Sequence, residues 1–220
     1  MKALIDRGNS SLLIEMSRMI GNVLNEEDSG DEHADEDSST LDILQEKDFF
    51  NLDSRITSIC MNDGLCNNSA ITKWDFSVYA NLKDLVVGDD CIRYVKSVVL
   101  SGFTRLEKVS IGSYCCVSAV RGSLVILHCN ELRTLSIGHD CCLEWGEFVL
   151  KDCALVKEVS IGDGSFVSCE QAAFESSTRA GHERIDLPEL TQLKIGREVF
   201  KGSTDKDSSF VMRGEFSGSG

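Results

Sequence analysis

Five segments of this chain repeat one pattern. "LKDLVVG" (82–88), "LEKVSIG" (106–112), "LRTLSIG" (132–138), "VKEVSIG" (156–162) and "LTQLKIG" (190–196) each read Leu-x-x-Leu-x-Ile-Gly with conservative variation. A weaker earlier copy, "ITSICMN" (56–62), places Asn62 at the glycine position. The terminal positions Asn62, Gly88, Gly112, Gly138, Gly162 and Gly196 lie 26, 24, 26, 24 and 34 residues apart. Self-similarity at such a period is the mark of a solenoid, in which each repeat buries its apolar face against its neighbours. Glycine and asparagine are the residues most tolerant of a left-handed backbone, so a turn with positive φ is expected at this column.

A second apolar segment follows each glycine by ten to fifteen residues: "FSV" (76–78), "SVVL" (97–100), "SLVIL" (123–127), "EFVL" (147–150) and "SFVM" (209–212). The fifth copy offers two candidates, "AAF" (172–174) and "RIDL" (184–187). These β-branched and aromatic runs have strand length. One coil is thus expected to run strand, glycine turn, irregular arc, second strand, turn, with no helix between the strands.

The pattern resembles the leucine-rich-repeat superfamily, closest to the repeats of bacterial and protozoan surface antigens, in which Leu-x-x-Leu-x-Ile is followed by Ile-Gly-x-x-Ala-Phe. "IGDGSF" (161–166) and "IGREVF" (195–200) carry that likeness, and the arc from glycine to second strand is longer than in the familiar form. The resemblance spans residues 52–213. It implies a β-dominated leucine-rich-repeat solenoid of about six coils with stacked parallel strands, horseshoe-like in broad class, and a role in binding or scaffolding.

Adjacent cysteines in "SIGSYCC" and "SIGHDCC" invite a metal or thiol reading. Alignment of the copies argues otherwise. Four residues after the turn position stand Cys66, Ile92, Cys116, Cys142, Phe166 and Phe200, and one position earlier stand Leu65, Cys91, Cys115, Cys141, Ser165 and Val199. A further column reads Tyr79, Phe103, Cys129, Cys153 and Leu187. Ligands would not be exchangeable with Phe and Ile, whereas free cysteine packs as a small hydrophobe. The alternative is a thiol-based metal-binding or redox protein using Cys115, Cys116, Cys141 and Cys142. Neighbouring coils about 4.8 Å apart would permit Cys115–Cys141 or Cys116–Cys142 disulfides, but adjacent cysteines in an extended segment should point to opposite sides. His128, at a strand end, and His139, in a turn, are expected to be surface or half-buried residues and not ligands. Gly-x-Ser-x-Gly, phosphate-loop and His-Glu-x-x-His signatures are missing from the sequence, so no enzymatic activity, metal or cofactor is expected.

Within each Leu-x-x-Leu-x-Ile strand the residues flanking the second Leu should face outward. Stacking would align Ser58, Asp84, Lys108, Thr134, Glu158 and Gln192 in one exposed column, and Cys60, Val86, Ser110, Ser136, Ser160 and Lys194 in another. This face is the expected protein-binding surface. The insertion "SSTRAGHER" (176–184) adds Arg179, His182 and Arg184 as further partner-binding candidates, since insertions in repeats map to loops.

Before the repeats, residues 1–25 carry Leu12, Leu13, Met16, Met19, Ile20, Val23 and Leu24 at helical spacing, predicting an amphipathic helix. Residues 26–40 form an acidic, extended linker, 41–51 a short helix or cap, and 214–220 a flexible tail. The net charge of −14 argues against binding nucleic acid or anionic membranes. Ten cysteines without a signal segment suggest reduced thiols and a cytoplasmic protein. A final coil ending in "MRGEFSGSG" without a polar cap points to possible self-association through the C-terminal edge.

Overall fold

The computed structural model describes residues 39–51, 53–175, 189–204 and 209–212. The expected N-terminal helix, nearly all of the acidic linker, the 176–184 insertion with Arg179, His182 and Arg184, and the 214–220 tail lie outside the described residues. Within them the chain forms β1 (Thr40–Ile43), β2 (Ser58–Met61), β3 (Asp84–Val87), β4 (Ser97–Ser101), β5 (Lys108–Ile111) and β6 (Ser123–Leu127). It continues through β7 (Thr134–Ile137), β8 (Glu147–Lys151), β9 (Glu158–Ile161), β10 (Gln171–Glu175), β11 (Gln192–Ile195) and β12 (Ser209–Met212). Two 3-10 helices, Glu46–Phe50 and Lys201–Thr204, complete the described elements.

The Leu-x-x-Leu-x-Ile strands make one sheet, ordered β1-β2-β3-β5-β7-β9-β11, and the second segments make another, ordered β4-β6-β8-β10-β12. Every pairing is parallel and in register. Five coils contribute a strand to each sheet, giving a β-solenoid of about five turns instead of the six coils expected, because the copy at 56–62 is followed by no strand of the second sheet. Successive copies register because a one-residue slip would turn every apolar residue outward.

Two further expectations change, and one alternative is resolved. The 41–51 stretch, expected as a short helix or cap, holds the 3-10 helix Glu46–Phe50 but opens in a strand: pairing of Thr40–Ile43 with β2 sets Leu41 beside Ile59 and Ile43 beside Met61, all buried. The solenoid therefore starts twelve residues before residue 52. Phe76–Val78 is not a strand; Phe76 instead packs against Trp74, which packs against Phe49, in an aromatic plug at the first end. In the fifth copy the second strand is Gln171–Glu175.

The core lies between the sheets, and its ladders are those expected: Leu82, Leu106, Leu132 and Val156 in one, Leu85, Val109, Leu135 and Val159 in the next, all buried. Towards the far end the ladders become aromatic, with Phe148 touching Phe166, Phe174 and Phe200 at centroid distances of 5.3, 5.0 and 5.4 Å. The last coil is the exception, for Ile195 is 36% exposed. Among the described residues no helix is long and apolar enough to cross a membrane.

The glycine column has a different cause from the one expected. Gly88, Gly112, Gly138, Gly162 and Gly196 do not have positive φ. A Cβ at Gly138 would lie 2.5 Å from Ser113 N and 2.7 Å from Gly112 C, and one at Gly162 would lie 2.6 Å from Gly138 C and O. Each glycine is required because the backbone of the preceding coil rests on it. Asn62 escapes the constraint at the first end, where β1 leads into the Glu46–Phe50 helix in place of another turn.

Left-handed residues occur two and four positions further on. Gly64, Asp90, Tyr114, Asp140, Gly164 and Glu198 form one such column, and Cys66, Ile92, Cys116, Cys142, Phe166 and Phe200 the other. Their amides explain the geometry. The first column donates forward, as from Asp90 to Ser113 O and Tyr114 to His139 O; the second donates back, as from Ile92 to Leu65 O and Cys142 to Cys115 O. Alternating reversals let an arc without strand geometry bond to both neighbours, satisfying backbone groups that burial would otherwise penalise.

Candidate functional site

The outward residues of the first sheet are brought together as the repeat predicts. Ser58, Asp84, Lys108, Thr134, Glu158 and Gln192 are consecutive partners in one ladder. Cys60, Val86, Ser110, Ser136, Ser160 and Lys194 form the second, and β1 extends the face with Thr40 and Asp42. Lys108, Glu158, Gln192 and Lys194 are exposed; the serines are half-buried, which leaves a low central strip bordered by longer side chains. Next to this face, Arg133 approaches Glu107 at 3.9 Å and Glu131 at 3.7 Å. Such exposed pairs contribute little stability, about 0 to 1 kcal/mol, so these charges are free to choose a partner.

The cysteine doublets lie in the arc, not in an extended segment. Cys115 and Cys116 are both buried, as are Cys141 and Cys142; the expectation of opposite-facing side chains fails because the second of each pair is left-handed, with φ of 56° and 53°. The two members also differ in role. Cys91, Cys115 and Cys141 donate their S–H to Asn62 O, Gly88 O and Gly112 O at 3.0, 3.2 and 2.9 Å. Ser165 takes the same place in the next coil and donates to Gly138 O at 2.8 Å. The column reaches the turn carbonyl of the preceding coil, so its thiols are hydrogen-bonding staples as well as filling. Cys116 and Cys142, like Phe166 and Phe200, fill the interior.

Burial governs the thiols' acidity. It pushes Cys91 and Cys169 up to about 11, against the lowering by backbone hydrogen bonds, and Cys66 up to about 12, with the Glu46 carboxylate adding to the rise. Cys115 is held higher still by the neighbouring Cys141 thiol and then by burial. Cys153 likewise is raised by its contact with Cys129 and by burial, the same contact lowering Cys129. All ten cysteines are free, and among the described residues no group of three or more His, Cys, Asp and Glu side chains converges as a metal site would require.

A second ladder crosses the turn edge one residue after the glycine column. Asp63, Asp89 and Asp163 accept the amides of Asp89, Ser113 and Arg197 at 2.8, 2.6 and 2.8 Å, and Ser113 Oγ accepts that of His139 at 3.2 Å. His139 Nδ1 accepts from Asp163 N–H at 3.1 Å, so its neutral ring carries the proton on Nε2. His139 is exposed, as expected, and so is His128, which stands 3.4 Å from Asp152. Arg197 has no acceptor and ends the ladder.

Among the described residues two shallow depressions stand out. One, of about 530 Å³, is lined by Asp90, Arg93, Tyr114, Val117, Asp140 and Leu143, with Arg93 bonded to Asp90 at 2.7 Å. The other, of about 440 Å³, lies between β4 and the Lys73–Ser77 segment over Trp74, Phe76 and Phe103.

Sequence reasoning overlooked the outer face of the second sheet. There Val99, Val125, Val149 and Ala173 are in-register neighbours, an apolar row across four strands, with Val99 45% exposed. Alternation within "SVVL", "SLVIL" and "EFVL" carried the signal: the middle valine has the parity opposite to its buried neighbours.

Comparison with known protein families, curated proteins and solved structures finds no match to this chain. Fold and surface together define a two-sheet parallel β-solenoid with ladder-like outer faces.

Proposed function

We propose that this solenoid is a non-catalytic protein-interaction or scaffold module of the leucine-rich-repeat type, binding a protein partner through the outer face of the first sheet. The observation that carries the reading is the alignment of two outward columns, from Ser58 to Gln192 and from Cys60 to Lys194, on one continuous face. The face offers mixed charge and a strip of small hydroxyls, which suits an extended protein surface better than a small ligand. Its shortage of exposed aromatics sets the expected affinity in the modest range. The Leu-x-x-Leu-x-Ile-Gly repeat supports the leucine-rich-repeat type, and the ten free, mostly buried thiols suit a reducing, cytoplasmic setting.

The test is Lys108→Glu combined with Lys194→Glu, compared with wild type in partner capture. Partners that depend on this face are lost from the double variant, while an unaltered set refutes it. The termination of the turn-edge ladder at Arg197 makes continued stacking of a second copy at the C-terminal edge less favourable, although the exposed Ile195 there remains a candidate contact.

A further inference from the structure

We infer that the outer face of the second sheet is a homodimer interface, in which a second copy packs face to face across a two-fold axis parallel to the strands and passing between β6 and β8. Two independent features of the face lead to this geometry.

The first is the apolar row Val99, Val125, Val149 and Ala173. Contiguous apolar surface on a sheet face is the part of a molecule that gains from leaving water. The buried core already occupies the other side of these strands, so only an external surface can cover it.

The second is the order of charges beside the row, at the strand-start edge. Passing along the solenoid, the flanking residues are Lys96, then Arg121, then Glu147, then Glu170; by the strand register Lys96 and Glu170 share one level, with Arg121 one residue before it and Glu147 one after. The first two are cationic and the last two anionic. Lys96, Arg121 and Glu170 are exposed and Glu147 is half-buried, and among the described residues none of the four takes part in an ion pair. Lys73 and Asp75, beyond β4, offset one another.

At the strand-start edge this charge order is complementary to itself. A two-fold axis along the strands reverses the order of coils while keeping the strand-start edges together. Lys96 then faces the second copy's Glu170 and Arg121 its Glu147, and each contact occurs twice. Val125 lies over the opposing Val149, and Val99 over the opposing Ala173. A two-fold along the solenoid axis would set strand-start against strand-end edges, matching only Glu147, with the second copy's Lys151, and leaving Lys96, Arg121 and Glu170 without an opposite charge. The occupant is therefore a second copy of this chain, identified by charge complementarity.

The size of the contact sets its strength. Four strands about 4.8 Å apart and five residues long cover roughly 17 by 19 Å, well below the ~800 Å² per partner of a standard interface. The dimer is accordingly weak, with a dissociation constant on the order of 10–100 μM at low salt, and it weakens as salt screens the charges. Dimerisation would leave the two first-sheet faces pointing outward in opposite directions, an arrangement that does not depend on what those faces bind.

Sedimentation equilibrium of the full chain, up to about 500 μM at low and high ionic strength, tests the inference. Wild type is expected to dimerise, more weakly at high salt. Lys96→Glu alone, or Glu170→Lys alone, should weaken the dimer about tenfold, because reversal turns two attractive contacts into two repulsive ones. The double variant Lys96→Glu with Glu170→Lys should restore wild-type association. Val149→Thr, which keeps volume and fold, should weaken it without altering the circular dichroism melt. A monomer at all concentrations overturns the inference. So does a dimer that Val149→Thr and the single charge reversals leave unchanged, or a double reversal that fails to restore association.

Discussion

Replacing Gly138 distinguishes the two explanations of the glycine column. If the turn needed a left-handed backbone, Gly138→Asn would be nearly neutral, as Asn62 suggests, and Gly138→Ala worse. The structure reverses this. Any Cβ at residue 138 meets Ser113 N at 2.5 Å and Gly112 C at 2.7 Å, and both contacts are backbone, which cannot swing aside. Reaching ordinary contact at 3.4 Å requires the coils to part locally by about 0.9 Å. That displacement would stretch Gly138 N–H to Ile111 O from 2.8 Å, Cys141 S–H to Gly112 O from 2.9 Å and His139 N–H to Ser113 Oγ from 3.2 Å beyond bonding range. Three hydrogen bonds at about 1 kcal/mol each give a loss of ~3 kcal/mol. Asn and Ala should share it. Gly102 is the control: its φ is +73° and a Cβ there meets nothing within 4 Å, so Gly102→Ala should cost only about 1 kcal/mol and Gly102→Asn less. Urea unfolding followed by circular dichroism reads the four variants, a loss of ~3 kcal/mol lowering the melting temperature by ~6–12 °C for a chain of this size. Gly138→Asn more stable than Gly138→Ala by over 1 kcal/mol would refute the close-approach argument, as would both variants lying within 1 kcal/mol of wild type.

At the staple column, Cys141→Ser should hold stability within about 1 kcal/mol, because Ser165 shows that a hydroxyl serves this place, whereas Cys141→Val leaves Gly112 O without its donor and should cost ~1–3 kcal/mol in urea unfolding. The thiols also set an alkaline limit. Cys91 and Cys169 at about 11 and Cys66 at about 12 lie above the ordinary thiol value near 9, so their contribution is complete below pH 9 and is lost as pH rises towards 11–12; stability should fall over that window, and a melting temperature unchanged from pH 8 to 11 would contradict it. Titration with a thiol reagent at neutral pH should find Cys60, the one cysteine not fully buried, reacting fast and the other nine slowly.

Much of this molecule was legible before any coordinates. The spacing of the Leu-x-x-Leu-x-Ile-Gly copies places Leu85 beside Val109 and Asp84 beside Lys108, because a parallel stack with a repeating inner face has one register that buries it. The same alignment identified Cys116, Cys142 and Phe166 as interchangeable filling. Thr40–Ile43 could not be read, since four alternating residues followed by the polar Gln45–Asp48 suit a helix or a strand and only the edge of β2 selects the strand. The face of the second sheet was hidden for a related reason: "SLVIL" looks like a continuous apolar run until pairing shows that Val125 points away from Leu124 and Ile126.

Sequence by itself determined the repeat, its inner ladders and its outward columns, because these follow from periodicity, a property of the chain alone. Tertiary structure alone decided why Gly138 is glycine, what Cys141 and Ser165 donate to, and how Lys96, Arg121, Glu147 and Glu170 gather along one edge of the second sheet. Each of those depends on which atoms of one coil lie within a few ångströms of the next, and that distance is fixed only when the coils stack.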